Sequence, residues 1–323
     1  MKLNSPFLKL PISFSEERLA ADVRALPDHA WLPHPQGFAG NEAVPLVSPG
    51  GEMTDAFDGP MAPTEHLLAS PYLLDVMRSL GAVWGRSRLM ALAPGADVPA
   101  HVDIHYYWRT HFRVHIPVIT NPGVEFMCDD EIVHMKAGEC WIPDTFRRHT
   151  VRNKGNARRI HLVMDTVGGE RFWELMDAAQ SGVASPLEPA TPEGCELEFE
   201  QVNSNQVMPP YELQYHLSNM SSHVVPHPGH DALLKRLDRF VAAWFGAWAR
   251  FGASEDGFET YGELIARVQR DVAELCGTEV RLDNGKTFLF FFERFLLASA
   301  LSKKVIARLA ADLQPTLRRT AAR

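Results

Sequence analysis

His101-Val-Asp103, His149 and Arg159 are the residues of this chain whose types and spacing could do chemistry together. Two imidazoles and one carboxylate can hold a non-haem Fe(II) on one face and leave three positions open. His101 and Asp103 stand two apart, so on a strand they point to the same side. His149 lies far along the chain and reaches the same point only if the intervening strands fold back. Arg159 follows ten residues after His149. A guanidinium there offers a bidentate grip on a carboxylate. The set suits a dicarboxylate cosubstrate. 2-Oxoglutarate would chelate the metal through its keto-acid end, extend its C5 carboxylate to the arginine, and leave a position for O₂.

Arg158 competes with Arg159 for that grip. Neighbours on a strand face opposite sides, and the alternation Arg159, His161, Val163 leaves either one open. Arg113 and His115 also stand two apart and would share a face, where they could bind a second carboxylate. His105, His111, His134 and His161 read as structural. His223, His227 and His230 fall in a loop containing Pro and Gly and read as a solvated turn rather than a second metal site.

The elements that must position these groups lie between Trp84 and about Val167. Strand-like runs at Ser87–Ala93, Ala100–Tyr107, Phe112–Thr120, Gly123–Cys128, Ile132–Met135, Cys140–Ile142, His149–Asn153 and Arg159–Thr166 are separated by turn signals. Among these signals are Pro94-Gly95 and Asn121-Pro122-Gly123. So many short strands in so short a stretch predict a two-sheet roll. Before it come a strand at Phe7–Phe14 and a helix from Ser15 to Leu26, with Ser13 and Glu16 as a candidate capping box. Residues 27–64 read as loop with short extended pieces, and a second helix opens at Ser70-Pro71. After the roll, residues 176–223 read as an acidic, Pro-containing connector. The remainder is helical by its apolar periodicity, with a last helix from about Lys286 to Leu313. The expected domains are 1–175, with the roll at about 84–168, and 224–323, joined by 176–223.

Composition narrows the function. The chain has 323 residues, 46% apolar and 22% charged, with a formal net charge of −8. That balance argues against nucleic acid or an anionic membrane as partner. Cys128, Cys140, Cys195 and Cys276 form no CxxC pair, so a disulfide framework is not expected. The N-terminus lacks a secretory pattern and no apolar run reaches membrane-spanning length. The expectation is a cytoplasmic protein, in reducing conditions that suit Fe(II). Exposed aromatics on the C-terminal helices would permit a homodimer.

The motifs also converge as a set. Arg88-Leu-Met-Ala-Leu-Ala-Pro-Gly-Ala-Asp-Val-Pro-Ala-His-Val-Asp103, Phe112-Arg-Val-His-Ile-Pro117, Gly138-Glu-Cys-Trp-Ile-Pro-Asp144, His149-Thr-Val-Arg-Asn153 and Arg159-Ile-His-Leu-Val-Met-Asp165 resemble the aspartyl/asparaginyl β-hydroxylase family. The resemblance covers about 84–168, is loose before that and very weak after about 175. Within the family, the layout is similar to that of the bacterial free-proline hydroxylases, which carry a helical C-terminal part. The resemblance implies an α+β protein with a double-stranded β-helix (a cupin-like jelly roll), N-terminal helices and a helical C-terminal region. It implies Fe(II), 2-oxoglutarate and O₂, with His101, Asp103 and His149 on iron. By position, Arg159 would hold the C5 carboxylate, His115 would lie near the C1 end, and Arg113 would lie near cosubstrate or substrate. The implied reaction is hydroxylation of an amino acid, free or in a peptide or natural product. A cupin-like metal protein that senses or isomerises a small ligand without O₂ is the alternative. It would recruit His105 or His115 as a further ligand.

Overall fold

In β12 (Arg159–Gly168), alternate residues separate two environments. Ile160, Leu162 and Met164 enter the main hydrophobic core, while Arg159, His161, Val163 and Asp165 face the other way. A strand in the middle of a sheet must satisfy both faces, and here one face is apolar and the other is ionisable. The computed structural model describes residues 3–35, 37–103, 106–182, 196–203, 206–276, 279–283, 285–302 and 305.

The larger sheet runs in the order β1 (Phe7–Ser13), β10 (Glu139–Pro143), β7 (Phe112–Ile119), β12, β5 (Val83–Leu92), β3 (Asn41–Pro49), β2 (Leu32–Pro33). β4 (Met61–Pro63) joins β3, and β13 (Glu198–Phe199) joins β5 as a parallel strand. The smaller sheet is β6 (Asp97–His101), β11 (His149–Asn153), β8 (Val124–Cys128), β9 (Glu131–Val133). Apart from β13, all these pairs are antiparallel. This is the expected double-stranded β-helix, widened by strands from the N-terminal region and by β13.

On the outer face of the larger sheet lie α1 (Glu16–Ala25), α3 (Pro71–Leu80) and α4 (Glu170–Gln180), with the single turn α2 (Glu65–Leu68) before α3. Leu19 and Val23 of α1, Leu73, Val76 and Met77 of α3, and Phe172 and Leu175 of α4 share one buried cluster with Leu89, Val114, Ile116 and Leu162 of the sheet. Pro71 opens α3, and Gly81, at φ 57°, ends it in the left-handed conformation. The expected capping box at Ser13 does not form. Ser13 belongs to β1, and Ser15 caps α1 by accepting from the Arg18 amide.

Two contact units divide the chain, 1–203 and 204–323. The second is helical: α5 (Pro210–Ser222), α6 (His230–Phe251), α7 (Phe258–Cys276) and α8 (Phe288–Phe291), which continues as a π-helical turn over Phe292–Leu297. Trp244 packs on Tyr261 and donates its indole N–H to the Met208 carbonyl at 2.8 Å. The single helix expected from about Lys286 to Leu313 is interrupted within its described part, and residues 306–313 lie outside the described residues. Leu301 is extended and bridges Val207, so the chain leaves the helix there. The stretch read as connector carries the end of α4, β13 and α5. Its acidic run, with Cys195 and His105, lies outside the described residues. No helix among the described residues is long and apolar enough to cross a membrane.

Candidate metal centre

β6 and β11 pair so that His101 stands opposite His149. Their rings lie 4.2 Å apart between centroids. β6 ends at His101, and Asp103 follows on irregular backbone whose amide donates to the Thr145 carbonyl at 3.0 Å. Candidate ligand atoms of His101, Asp103 and His149 all lie within 4.8 Å of one another, the one such group among the described residues. Each imidazole is oriented by its own strand. The His101 Nδ1–H donates to the Pro99 carbonyl at 2.8 Å, and the His149 Nδ1–H to the Arg147 carbonyl at 3.0 Å. A carbonyl only accepts, so both Nε2 atoms keep their lone pairs for a metal. Burial lowers His149 below its usual range, which keeps the ring neutral.

Arg113 holds the carboxylate of the group. Its Nη1–H donates to Asp103 Oδ2 at 2.9 Å and its Nε–H to Asp165 Oδ1 at 3.1 Å. Its guanidinium lies 4.0 Å from the Trp108 ring centroid. Burial alone would lower Arg113, but Asp103 and Asp165 hold it above its usual range. Asp103 keeps Oδ1 for a metal, 3.6 Å from His101 Nε2. Two nitrogens and one hard oxygen are a donor set that Fe(II) accepts, so these residues fit the expected ion.

From this group a row of rings crosses the interior. His149 stacks on Phe126 at 6.1 Å, Phe126 meets His115 edge-on at 5.4 Å, and His115 meets His161 at 5.8 Å. Arg159 precedes His161 on the same face of β12. Arg159 Nη1 makes one long contact to the Met90 carbonyl at 3.5 Å, and its Nε and Nη2 have no hydrogen-bond partner. Arg159 forms no ion pair among the described residues, and burial pushes its guanidinium down to about 9. A buried cation with no counter-charge is costly unless an anion arrives. His115 Nδ1 is likewise without a partner. Arg158 lies on the other side, paired with Glu42 at 2.6 Å and stacked 4.0 Å from Trp31. Of the two arginines, only Arg159 faces the interior.

Sequence reasoning overlooked several polar residues of this interior. Asp165 sits beneath Arg113, and Arg86 approaches Asp165 at 3.7 Å. Asp55 pairs with Arg88, and also with Arg86 at 3.4 Å. Burial, then the neighbouring Arg86, lowers Arg88 to about 10. Charged residues recurring in otherwise buried strands were the available signal. Of the two imidazoles that a cupin-like centre would recruit, His115 lies outside the converging ligand group, and His105 lies outside the described residues. His223 pairs with Asp283 at 2.7 Å, and His227 lies 3.9 Å from Glu279.

Residues 56–168 match the family model described as Aspartyl/Asparaginyl beta-hydroxylase, which bears out the resemblance drawn from the motifs. The chain is 25% identical over 189 residues to L-proline cis-3-hydroxylase 1 of a Streptomyces species, covering 54% of this chain and 64% of the relative. It is 26% identical over 163 residues to L-proline cis-4-hydroxylase of Rhizobium meliloti (strain 1021), covering 48% and 58%. The match thus spans less than two thirds of either relative. A solved 2OG-Fe(II) oxygenase family oxidoreductase from Burkholderia pseudomallei aligns at TM-score 0.37 and 17% identity, over 48% of this chain and 81% of that one.

Proposed function

We propose that the chain is an Fe(II)- and 2-oxoglutarate-dependent dioxygenase. It hydroxylates an unactivated C–H of an amino acid, free and proline-like or within a peptide or natural product, and releases succinate and CO₂. The observation that carries this reading is one interior with a three-donor group at one end and an unpaired, buried guanidinium further along. A dicarboxylate that binds metal at its keto-acid end supplies what Arg159 lacks. His101, Asp103 and His149 would hold the metal, with Arg113 keeping the carboxylate aimed. His115 would stand between metal and Arg159, with its partnerless Nδ1 toward the cosubstrate. Bound Fe(II) supplies the activation of O₂ that no side chain can provide. The protein's part is to orient one C–H and to exclude water.

Two further features support the amino-acid substrate. The relatives' names both give L-proline as substrate. The interior also holds Arg86, Arg88 and Arg113, each paired with a carboxylate, and Arg159, which has none among the described residues, so a carboxylate-bearing ligand would find an uncompensated positive charge there. A reducing, cytoplasmic setting accords with the three described cysteines, all free.

The test begins without oxygen. Fe(II) with 2-oxoglutarate should give the visible metal-to-ketoacid charge-transfer band in the wild type, and His149→Ala should lose it. Succinate release with L-proline and other amino acids then ranks substrates. Iron bound without the band would overturn the reading.

A further inference from the structure

We propose that His161 is a cosubstrate-binding residue that shares with Arg159 the seat of the remote carboxylate, an inference that rests on the dioxygenase reading above. His161 is 1% exposed, and neither of its ring nitrogens has a hydrogen-bond partner. Buried side-chain nitrogens are nearly always satisfied, so two orphans on one ring call for a missing partner. Arg159 Nε and Nη2 and His115 Nδ1 are orphaned as well. Five such atoms, from three residues on one sheet face, make one buried polar patch that lacks hydrogen-bond partners.

Position decides which end of a dicarboxylate His161 meets. In the register of β12 and β7, Val163 stands beside His115 and His161 beside Pro117. His161 is therefore one step further from the metal group than His115, and two residues from Arg159 along the same face. The row His149, Phe126, His115, His161 leads away from the metal. Burial, then the charge of Arg159, holds His161 well below its usual range, so the ring is neutral. A neutral imidazole offers one N–H donor and one acceptor nitrogen. Beside Arg159 it adds a donor for a carboxylate oxygen without adding a second buried charge. Its other nitrogen is left to accept from a water that accompanies the anion.

The experiment is anaerobic calorimetry on the full chain loaded with Mn(II). The titrants are 2-oxoglutarate and 2-oxobutanoate, which keeps the keto acid and lacks the remote carboxylate. His161→Leu should weaken 2-oxoglutarate binding by about tenfold to a hundredfold, the scale of a hydrogen bond to a charged group, and leave 2-oxobutanoate unchanged. His161→Gln keeps an N–H donor and should restore most of the affinity. Without ligand, His161→Leu should melt at or above the wild-type temperature, because two unsatisfied atoms are removed. Equal 2-oxoglutarate affinity in wild type and His161→Leu, while Arg159→Ala loses it, would overturn the role of His161 alone. No 2-oxoglutarate binding in metal-loaded wild type would overturn the dioxygenase reading itself.

Discussion

Arg113 is the residue that joins two carboxylates, one half-buried and one buried. It joins Asp103, which is aimed at the metal group, to Asp165, which is 1% exposed on β12. Arg113→Met should therefore destabilise the protein by about 3–5 kcal/mol, because removing one partner strands the other charge. It should also weaken metal binding, measured by Mn(II) titration beside a urea melt; unchanged values for both would refute the link. The buried imidazoles predict a pH dependence. His115 and His161 are held well below 6.5 in the fold, chiefly by burial. The folded protein thus binds fewer protons than the unfolded chain below that pH. Stability from these groups is present above about pH 6.5 and falls by roughly 2.7 kcal/mol per pH unit below it. Urea midpoints at pH 7.5 and 5.5 measure the slope, and His161→Leu should lose about half of it. At this scale the sequence showed the ligand types but not their partners. Alternation alone left Arg158 and Arg159 equivalent until Glu42 and Trp31 claimed Arg158. His161 read as structural because a missing partner has no signature in sequence.

The strands around the metal were legible because the roll repeats a short alternating pattern between Pro/Gly turns. β7 and β11 fall where periodicity places them. β3 was missed, since Pro45 and Pro49 mark it as loop, yet it pairs with β5 with a register shift just after Pro45. β6 begins and ends earlier than expected, because the chain turns after His101 to bring Asp103 back. β13 was invisible, being two residues held in place by long-range partners. Glu200, directly after it, pairs with His111 and accepts from the Asn203 side chain at 3.3 Å. Its backbone also bonds Trp84 and Met61. We expect Glu200→Ala to cost about 1–3 kcal/mol, through the partners it leaves unsatisfied, while Glu198→Ala on the exposed side costs under about 0.5 kcal/mol. Equal melting temperatures for the two variants would show that the clasp contributes nothing.

For the whole molecule, the net charge of −8 coexists with four buried arginines in the interior of the roll. The chain's division after Asn203, rather than at the end of the roll, gives a further expectation. A fragment of residues 1–203 should bind metal as the full chain does. One ending at 182 should not, because β5 loses β13 and His111 loses Glu200. Circular dichroism and Mn(II) titration of both fragments decide this, and equal behaviour would place the boundary earlier.

The backbone carbonyls of Pro99 and Arg147 have a consequence for the supply of iron. Because they fix both imidazoles in advance, little ordering entropy is lost when an ion enters, and the geometry demands little of the ion. The His101 side chain is 41% exposed, so the ion would sit where exchange with solvent is quick. Such a site follows the general affinity order of divalent metals, in which nickel, copper and zinc outrank iron. The metal in the purified protein should therefore reflect the growth medium, and trace zinc should act as a rapid, chelator-reversible inhibitor.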